Sequence, residues 1–212
     1  MALEHEYTLL GGWSRSNVGR WIGVAAGAAA SGTVFLTLGA VNLAQTFGWA
    51  PALPPLVLWP LGAGAWYVAI YWAFDRYAWK FKPLAAVLQV PDLSGTWDCE
   101  GRSLDAQKNV IYEWSGTLTI WQSWDKLKVR LKTAQSGSES IAAALLFDPT
   151  EGYRLMYHYR NDPRLDQGEL KTHRGFSEIV FAANCEAAEG EYFNGHGRYT
   201  FGTMQLNRRN KK

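Results

Sequence analysis

From residue 136 onward, side chains able to grip a small polar ligand recur at every second position. Leu155, Tyr157 and Tyr159 form one such set, and His173, Gly175, Ser177, Ile179 and Phe181 another. Gly190, Tyr192 and Asn194 follow, then Arg198, Thr200, Gly202, Met204 and Leu206, while Ser136, Ser138 and Ser140 precede Ala142 and Ala144. Alternate residues of a strand share a face, and each of these faces runs from aliphatic at one end to polar or aromatic at the other. Turned inward, they make a container with a greasy plug and a wet pocket. The pocket candidates are Ser138, Ser140, Tyr157, Tyr159, His173, Tyr192, Asn194, Arg198 and Thr200. Tyrosine rings stack on bases or hydrogen-bond, arginine and histidine meet phosphate, and hydroxyls and amides complete base or ribose contacts. The opposite register would put Leu155, Ile179 and Phe181 in water, and a slip of one residue inverts the whole set.

Signatures of catalysis are missing. His158, His173 and His196 lack metal-ligand spacing with one another or with the two cysteines. There is no glycine-rich phosphate loop and no Gly-x-Ser-x-Gly elbow. Acidic residues are scattered singly, so a carboxylate pair could arise only through folding. The expectation is a non-enzyme without metal or cofactor. Asn194-Gly195-His196-Gly197 reads as a chain reversal between the last two strands.

Eight period-two segments must position these groups: Ser94–Glu100, Ile111–Ser123, Trp124–Thr133, Ser138–Phe147, Tyr153–Arg160, His173–Ala183, Glu189–Asn194 and Arg198–Leu206. In the third, Leu127, Val129 and Leu131 alternate with Lys126, Lys128, Arg130 and Lys132, which predicts a core face and a solvated face. Turn residues separate the segments, as at Ser136-Gly137, Asp148-Pro149 and Asn161-Asp162-Pro163. Regular strands without intervening helices predict an eight-stranded antiparallel up-and-down β-barrel, wide enough to hold one small ligand.

Ahead of the strands, Trp21 to Phe74 contains no Asp, Glu, Lys, Arg or His. Ile22 to about Phe47 and Leu56 to Phe74 are each long enough to cross a bilayer, and Gly48 to Pro55 holds three prolines. The pattern predicts a two-helix transmembrane hairpin. Arg15 and Arg20 before it and Arg76, Lys80 and Lys82 after it place both termini in the cytoplasm by the positive-inside rule. A buried hairpin of a soluble protein would show a polar face, and a signal peptide has a shorter apolar run. Gly23, Gly27 and Ser31 recur every fourth residue, a spacing that lets helices approach closely. Their partner is either the second span or another copy.

The expected organisation is an N-terminal cytoplasmic lead (1–20), too small to fold alone, a hairpin (21–82), a barrel (91–208) and a basic tail (209–212). Of the 21 basic and 19 acidic residues, five and three lie in residues 1–91, so the remainder carries equal numbers of each sign. That balance argues against a DNA or RNA polymer as partner. Cys99 and Cys185, facing a reducing compartment, are read as small core or wall residues.

The order of motifs carries a resemblance. Pro91-Asp92-Leu93-Ser94-Gly95-Thr96-Trp97 behind a two-span N-terminus is followed by Gln122 and Trp124, then the spaced serines and Leu155-x-Tyr157-x-Tyr159. His173-x-Gly175 and Gly190-x-Tyr192 come next, ahead of Arg198 and Gly202. Over nearly the whole chain this resembles the two-transmembrane, β-strand-rich effectors of bacterial cyclic-oligonucleotide anti-phage signalling (CBASS). The resemblance implies a barrel on the inner membrane that binds a cyclic dinucleotide made by a partner nucleotidyltransferase. It further implies homo-oligomerisation through the spans and disruption of the membrane lipid, killing the infected host. The pocket residues above rest on strand alternation, not on the resemblance.

Gly95-x-Trp97 with a late Arg208 is also similar to lipocalin-type barrels, in which an Arg of the last strand packs over the Trp. Two other readings follow from the same barrel. A tethered lipocalin-like module for an apolar ligand or lipid would need aliphatic residues throughout the lumen. A hydrolase or isomerase would need two titratable groups in contact there.

Overall fold

The computed structural model describes residues 4–48, 62–163, 172–195 and 199–209. It divides into two compact units, Trp13–Trp79 and Met1–Gly12 with Lys80–Lys212.

The first unit is helical. Helix α1, Arg15–Thr46, opens on Ser14, whose hydroxyl accepts from the Asn17 N–H at 3.3 Å. It is long and apolar enough to cross a membrane, about 48 Å at 1.5 Å per residue. Its threonine hydroxyls are satisfied within the helix: Thr33 donates to the Ala29 carbonyl and Thr37 to that of Thr33, both at 2.7 Å, and Thr46 to that of Asn42 at 2.9 Å. That is the economy a segment in lipid requires. Val18, Ile22, Ala26 and Ala30 form the buried stripe of α1, at the helical spacing of four, and helix α2, Ala63–Arg76, is its neighbour. Trp21, Phe35, Leu36 and Leu43 project outward, exposed. The predicted link and the first residues of the second span, including Pro60, lie outside the described residues. The small-residue stripe lies off the buried face: a Cβ at Gly23 or Gly27 would meet nothing within 4 Å, and Ser31 is exposed. Among the described residues, the contact between α1 and α2 therefore does not use it.

In the second unit the described residues form a sheet of nine strands in a closed ring. Eight correspond to the predicted segments: β2 Gly95–Leu104, β3 Val110–Gln122, β4 Lys126–Thr133, β5 Ser136–Asp148, β6 Gly152–Pro163, β7 His173–Phe181, β8 Ala187–Gly195 and β9 Phe201–Arg208. Each pairs antiparallel with its neighbours in sequence, and β9 pairs with β2. The ninth, β1, His5–Leu10, corrects the strand count: part of the lead, too short to fold alone, adds a strand to the sheet. Strands β4 and β5 touch only from Arg130↔Glu139 to Lys132↔Gly137 and then diverge. Strand β1 fills the fork, antiparallel to β4 at His5↔Leu127 and parallel to β5 from Tyr7↔Ala143 to Leu10↔Leu146. A short helix, α3, Lys82–Leu88, with proline in its first turn, leads into the barrel.

Inward-facing residues separate by chemistry as the alternation predicts. Trp97, Leu118, Leu127, Leu155, Ile179 and Phe181 are fully or almost fully buried and plug one end. Gln122 ties the segment before β2 to this plug, accepting from the Leu93 N–H at 2.8 Å and donating to the Pro91 carbonyl at 3.2 Å. Arg208 lies over the Trp97 ring at 5.3 Å and donates to the carbonyls of Asp92 and Ser94 at 3.1 and 2.6 Å. Arg209, the first residue of the basic tail, is tied to the barrel: its guanidinium pairs with Asp98, holding that carboxyl below its ordinary range, and its backbone N–H donates to the Thr96 carbonyl. Lys128 is a second correction. Although it alternates with apolar residues, it is buried, its ammonium 3.1 Å from Glu139 Oε2 and donating to the Ser140 carbonyl at 3.1 Å.

Cys99 sits in the plug, where burial, then the neighbouring Glu100 charge, pushes its thiol up to about 12. An unfolded cysteine ionises near ~8.5. Above that pH the unfolded state releases its proton first, so the stability this buried thiol contributes falls as pH rises through the window between the two values. Iodoacetamide at pH 8 should leave Cys99 untouched in the folded chain and modify it in guanidinium. Mass spectrometry showing equal labelling would place the residue at the surface.

Candidate functional site

At the end of the barrel opposite the plug lies a cavity of about 260 Å³. Seven of the nine predicted pocket residues line it: Ser138 from β5, Tyr157 and Tyr159 from β6, His173 from β7, Tyr192 and Asn194 from β8, and Thr200 just before β9. Ser140 is buried but turned to the fork. Its hydroxyl lies 2.7 Å from His5 Nε2 and accepts from the Val129 N–H at 2.9 Å. Arg198 lies outside the described residues.

Room for the aromatic rings comes from inward-facing glycines. A Cβ at Gly101 would sit 2.1 Å from the Trp114 indole, and one at Gly175 2.4 Å from the Tyr159 hydroxyl. Without those missing side chains neither ring could lie across the lumen. The rings are then held by their polar tips. Tyr192 OH lies 2.8 Å from Ser103 Oγ and accepts from Trp114 Nε1 at 3.2 Å, with the indole edge-on to the phenol ring. Tyr159 OH donates to Asn194 Oδ1 at 2.8 Å, and Asn194 Nδ2 donates to Thr200 Oγ1 at 2.8 Å. Asn161 Nδ2, on the same strand as Tyr159, donates to Ser136 Oγ of neighbouring β5 at 3.1 Å. Burial raises the Tyr157 phenol well above its ordinary value, with a hydrogen bond to Ser177 pulling it partly back, so it stays neutral at any physiological pH.

Alternation alone missed Ser103, Trp114 and Asn161, which also line the cavity. Their signals were in the sequence. Ser103 shares a face with Trp97, Cys99 and Gly101, Trp114 with Leu118 and Ile120, and Asn161 with Tyr157 and Tyr159. For Ser103 and Asn161 the predicted strands stop too early, at Glu100 and Arg160; Trp114 lies inside its predicted strand on the core face and is passed over there. Among the described lining residues the only formally charged side chain is Glu113. The arrangement thus offers aromatic faces, hydroxyls and amides to a ligand, with few fixed charges. Among the described residues no group of three His, Cys, Asp or Glu could hold a metal ion.

Two family descriptions match this chain in tandem: "Cap15, TM helices" over residues 16–80 and "Cap15, cyclic dinucleotide receptor domain" over residues 88–208. The chain belongs to the Cap15 family. CD-NTase-associated protein 15 of Yersinia aleksiciae is 38% identical over 205 residues, 97% of either chain. The CBASS resemblance of the motifs is thereby shown, and the chain is a CBASS effector with a transmembrane region and a receptor domain for a cyclic dinucleotide. The Cap15 receptor match begins at residue 88 and so leaves out β1, which the structure places in the same ring of strands.

Proposed function

We propose that the wet cavity is where the cyclic dinucleotide binds, and that its occupancy drives the spans of several copies together until the inner membrane fails. The observation that carries this reading is the cavity itself, in which seven residues chosen by strand parity converge on one space within the receptor domain. At about 260 Å³ it is just below the ~300–1,000 Å³ of most ligand pockets. One base and its ribose enter, stacked among Tyr157, Tyr159 and Tyr192, while the second half of the ring stays at the mouth with His173 near its phosphates; Arg198 is proposed as a phosphate partner from its residue type alone. Ser138, Asn194 and Thr200 complete the polar contacts. Ser140 braces the fork instead.

The protein on this reading is not an enzyme, needs no cofactor or metal, and spans the inner membrane twice, with both termini and the barrel in the cytoplasm. Its parts are the hairpin over 21–82 and a lipocalin-like barrel over 91–208, in which Gly95, Trp97 and Arg208 close the plugged end. Support for oligomerisation comes from Gly23, Gly27 and Ser31, whose small side chains the chain's own second helix leaves uncovered. An apolar ligand is the weaker reading, because aliphatic side chains fill the plug and the open space is lined by hydroxyls and amides.

Dye-loaded vesicles carrying the full-length chain test all of this together. A panel of cyclic di- and trinucleotides should include at least one that releases dye at micromolar concentration. Gly27→Leu should abolish release while calorimetry still finds binding. No heat from any member of the panel would overturn the ligand assignment, and release by Gly27→Leu at the original rate would overturn the role of the stripe.

A further inference from the structure

The outer wall of the barrel carries a feature that neither the cavity nor the spans explain. Phe176 on β7 pairs with Phe193 on β8, and Phe193 with Phe201 on β9, so three phenylalanines lie in one cross-strand row facing away from the lumen. The first two rings stack at 5.6 Å. Phe193 is 58% exposed, Phe201 37% and Tyr199, two residues before it, 87%. At ~150–250 Å² per aromatic side chain, the exposed parts of these rings together amount to roughly 400 Å², as much as the largest apolar patches that monomers expose, which are often functional.

Directly beside the row, Glu178 and Glu191 face each other across β7 and β8. Like charges opposite one another destabilise a sheet unless something neutralises them. Glu178 has Arg154. Glu191 and its strand neighbour Glu189 are exposed and have no ion partner among the described residues. The basic counterpart is on the far side of the ring. Strand β4 points Lys126, Arg130 and Lys132 outward and lies four strands from β8 in the ring of nine; Arg130 shares Glu139 of β5 with Lys128, its Nε 3.5 Å from Oε1 in a half-exposed pair, so a contact with Glu191 would exchange that partner.

The two walls also match in height. Followed across β9, β2 and β3, the ladder from Glu191 passes Thr203, Arg102 and Glu113 and reaches β4 beyond its mouth end. Followed the other way it passes Glu178, Met156 and Ala144 and reaches β4 at its start. Part-way between, level with Glu191, stands Arg130. An acidic, aromatic wall and a basic wall at one level on opposite sides are complementary only between different copies. A head-to-tail contact of that kind keeps every barrel the same way up and propagates into rings or filaments.

We propose that the β7–β8–β9 wall docks the β4 wall of a second copy of this chain. Lys132 and Arg130 of one barrel meet Phe193 and Glu191 of the next, a cation over an aromatic face beside an ion pair. The contact is independent of what the cavity binds.

The test uses full-length chains in vesicles, in a Cys185→Ser background. Glu191→Cys and Arg130→Cys chains, mixed and oxidised, should give disulfide-linked dimers, whereas either chain oxidised alone should stay monomeric. A single chain carrying both substitutions should give a ladder of higher oligomers. Cross-linking of Glu191→Cys with itself would overturn the head-to-tail geometry. Equal yield from Asn207→Cys, at the far end of β9, would mean random collision and overturn the contact. As a second readout, Glu191→Lys in the otherwise native chain should lower the oligomer fraction at least fivefold in sedimentation, and adding Arg130→Glu should restore it. Failure of that restoration, or quenching of a label at residue 193 by brominated lipid, would assign the wall to something other than a second copy.

Discussion

Replacing Tyr192 with alanine will weaken cyclic dinucleotide binding roughly a hundredfold in calorimetry on the full-length chain. Two losses combine. A stacking ring is worth ~1–3 kcal/mol per base, and tenfold in affinity corresponds to about 1.4 kcal/mol. The phenol oxygen is also the hub that joins Ser103 Oγ and Trp114 Nε1, 2.8 and 3.2 Å away. Without it the indole is free to swing into the space the ligand would use. Because Tyr192 is also buried, its removal loosens the barrel, and a second variant separates the two effects. Tyr192→Phe keeps the ring and drops only the hydroxyl, so its melting temperature should stay within a few degrees of the parent while affinity falls about tenfold. Native affinity in Tyr192→Phe together with a hundredfold loss in Tyr192→Ala would assign the role to the ring alone. Native affinity in both would move the ligand elsewhere.

A period of two proved the most informative property of this sequence, because it needed no knowledge of partners. It placed Leu155, Tyr157 and Tyr159 on one face and brought Tyr192 and Asn194 to them from a strand far away in the chain. A barrel has one inside, so correct parity in each strand is enough to gather a site. What parity could not supply was anything that depends on which strands touch. Ser140 has the right parity, but β4 and β5 part company just there, and its hydroxyl turns to His5 instead of the cavity. Lys128 reads as solvated for the same reason. In an isolated pair of strands it would face water, yet at the fork it is covered and holds Glu139. Strand β1 was invisible because it is six residues long, buries only Tyr7 well, and stands beside Gly11 and Gly12. Nothing local announces that a gap elsewhere in the sheet is waiting for it. Helix pairing had the same limit: the small-residue spacing was legible, but the stripe that the chain buries against itself, Val18 to Ala30, could be told from it only by packing.

Removing β1 will cost the barrel about as much as truncating a large core side chain, even though β1 lies outside the receptor match. The Tyr7 ring is almost fully buried, and its hydroxyl donates to the Ser123 carbonyl at 3.3 Å beside Gln122 Nε2 at 3.4 Å. Loss of a buried aromatic costs about 3–5 kcal/mol. Deleting the strand also strips the β5 backbone from Ala143 to Leu146 of its partner, leaving an open edge of the kind that pairs with other chains. At ~4–8 °C per kcal/mol for a domain somewhat smaller than this barrel, a chain lacking residues 1–10 should melt at least 10 °C lower by tryptophan fluorescence in detergent. It should also aggregate on heating. Tyr7→Ala in the full-length chain should reproduce most of the shift without removing the backbone partner, and Tyr7→Phe little of it. Hydrogen exchange supplies the local test, since the amides facing β1 along β5 should lose protection first in the truncated chain while those between β7 and β8 keep theirs. An unchanged melting temperature after truncation would mean that the fork closes by direct β4–β5 pairing. In that case the segment leading into α1 would be a loose tether, and movements of the spans could not reach the barrel through it.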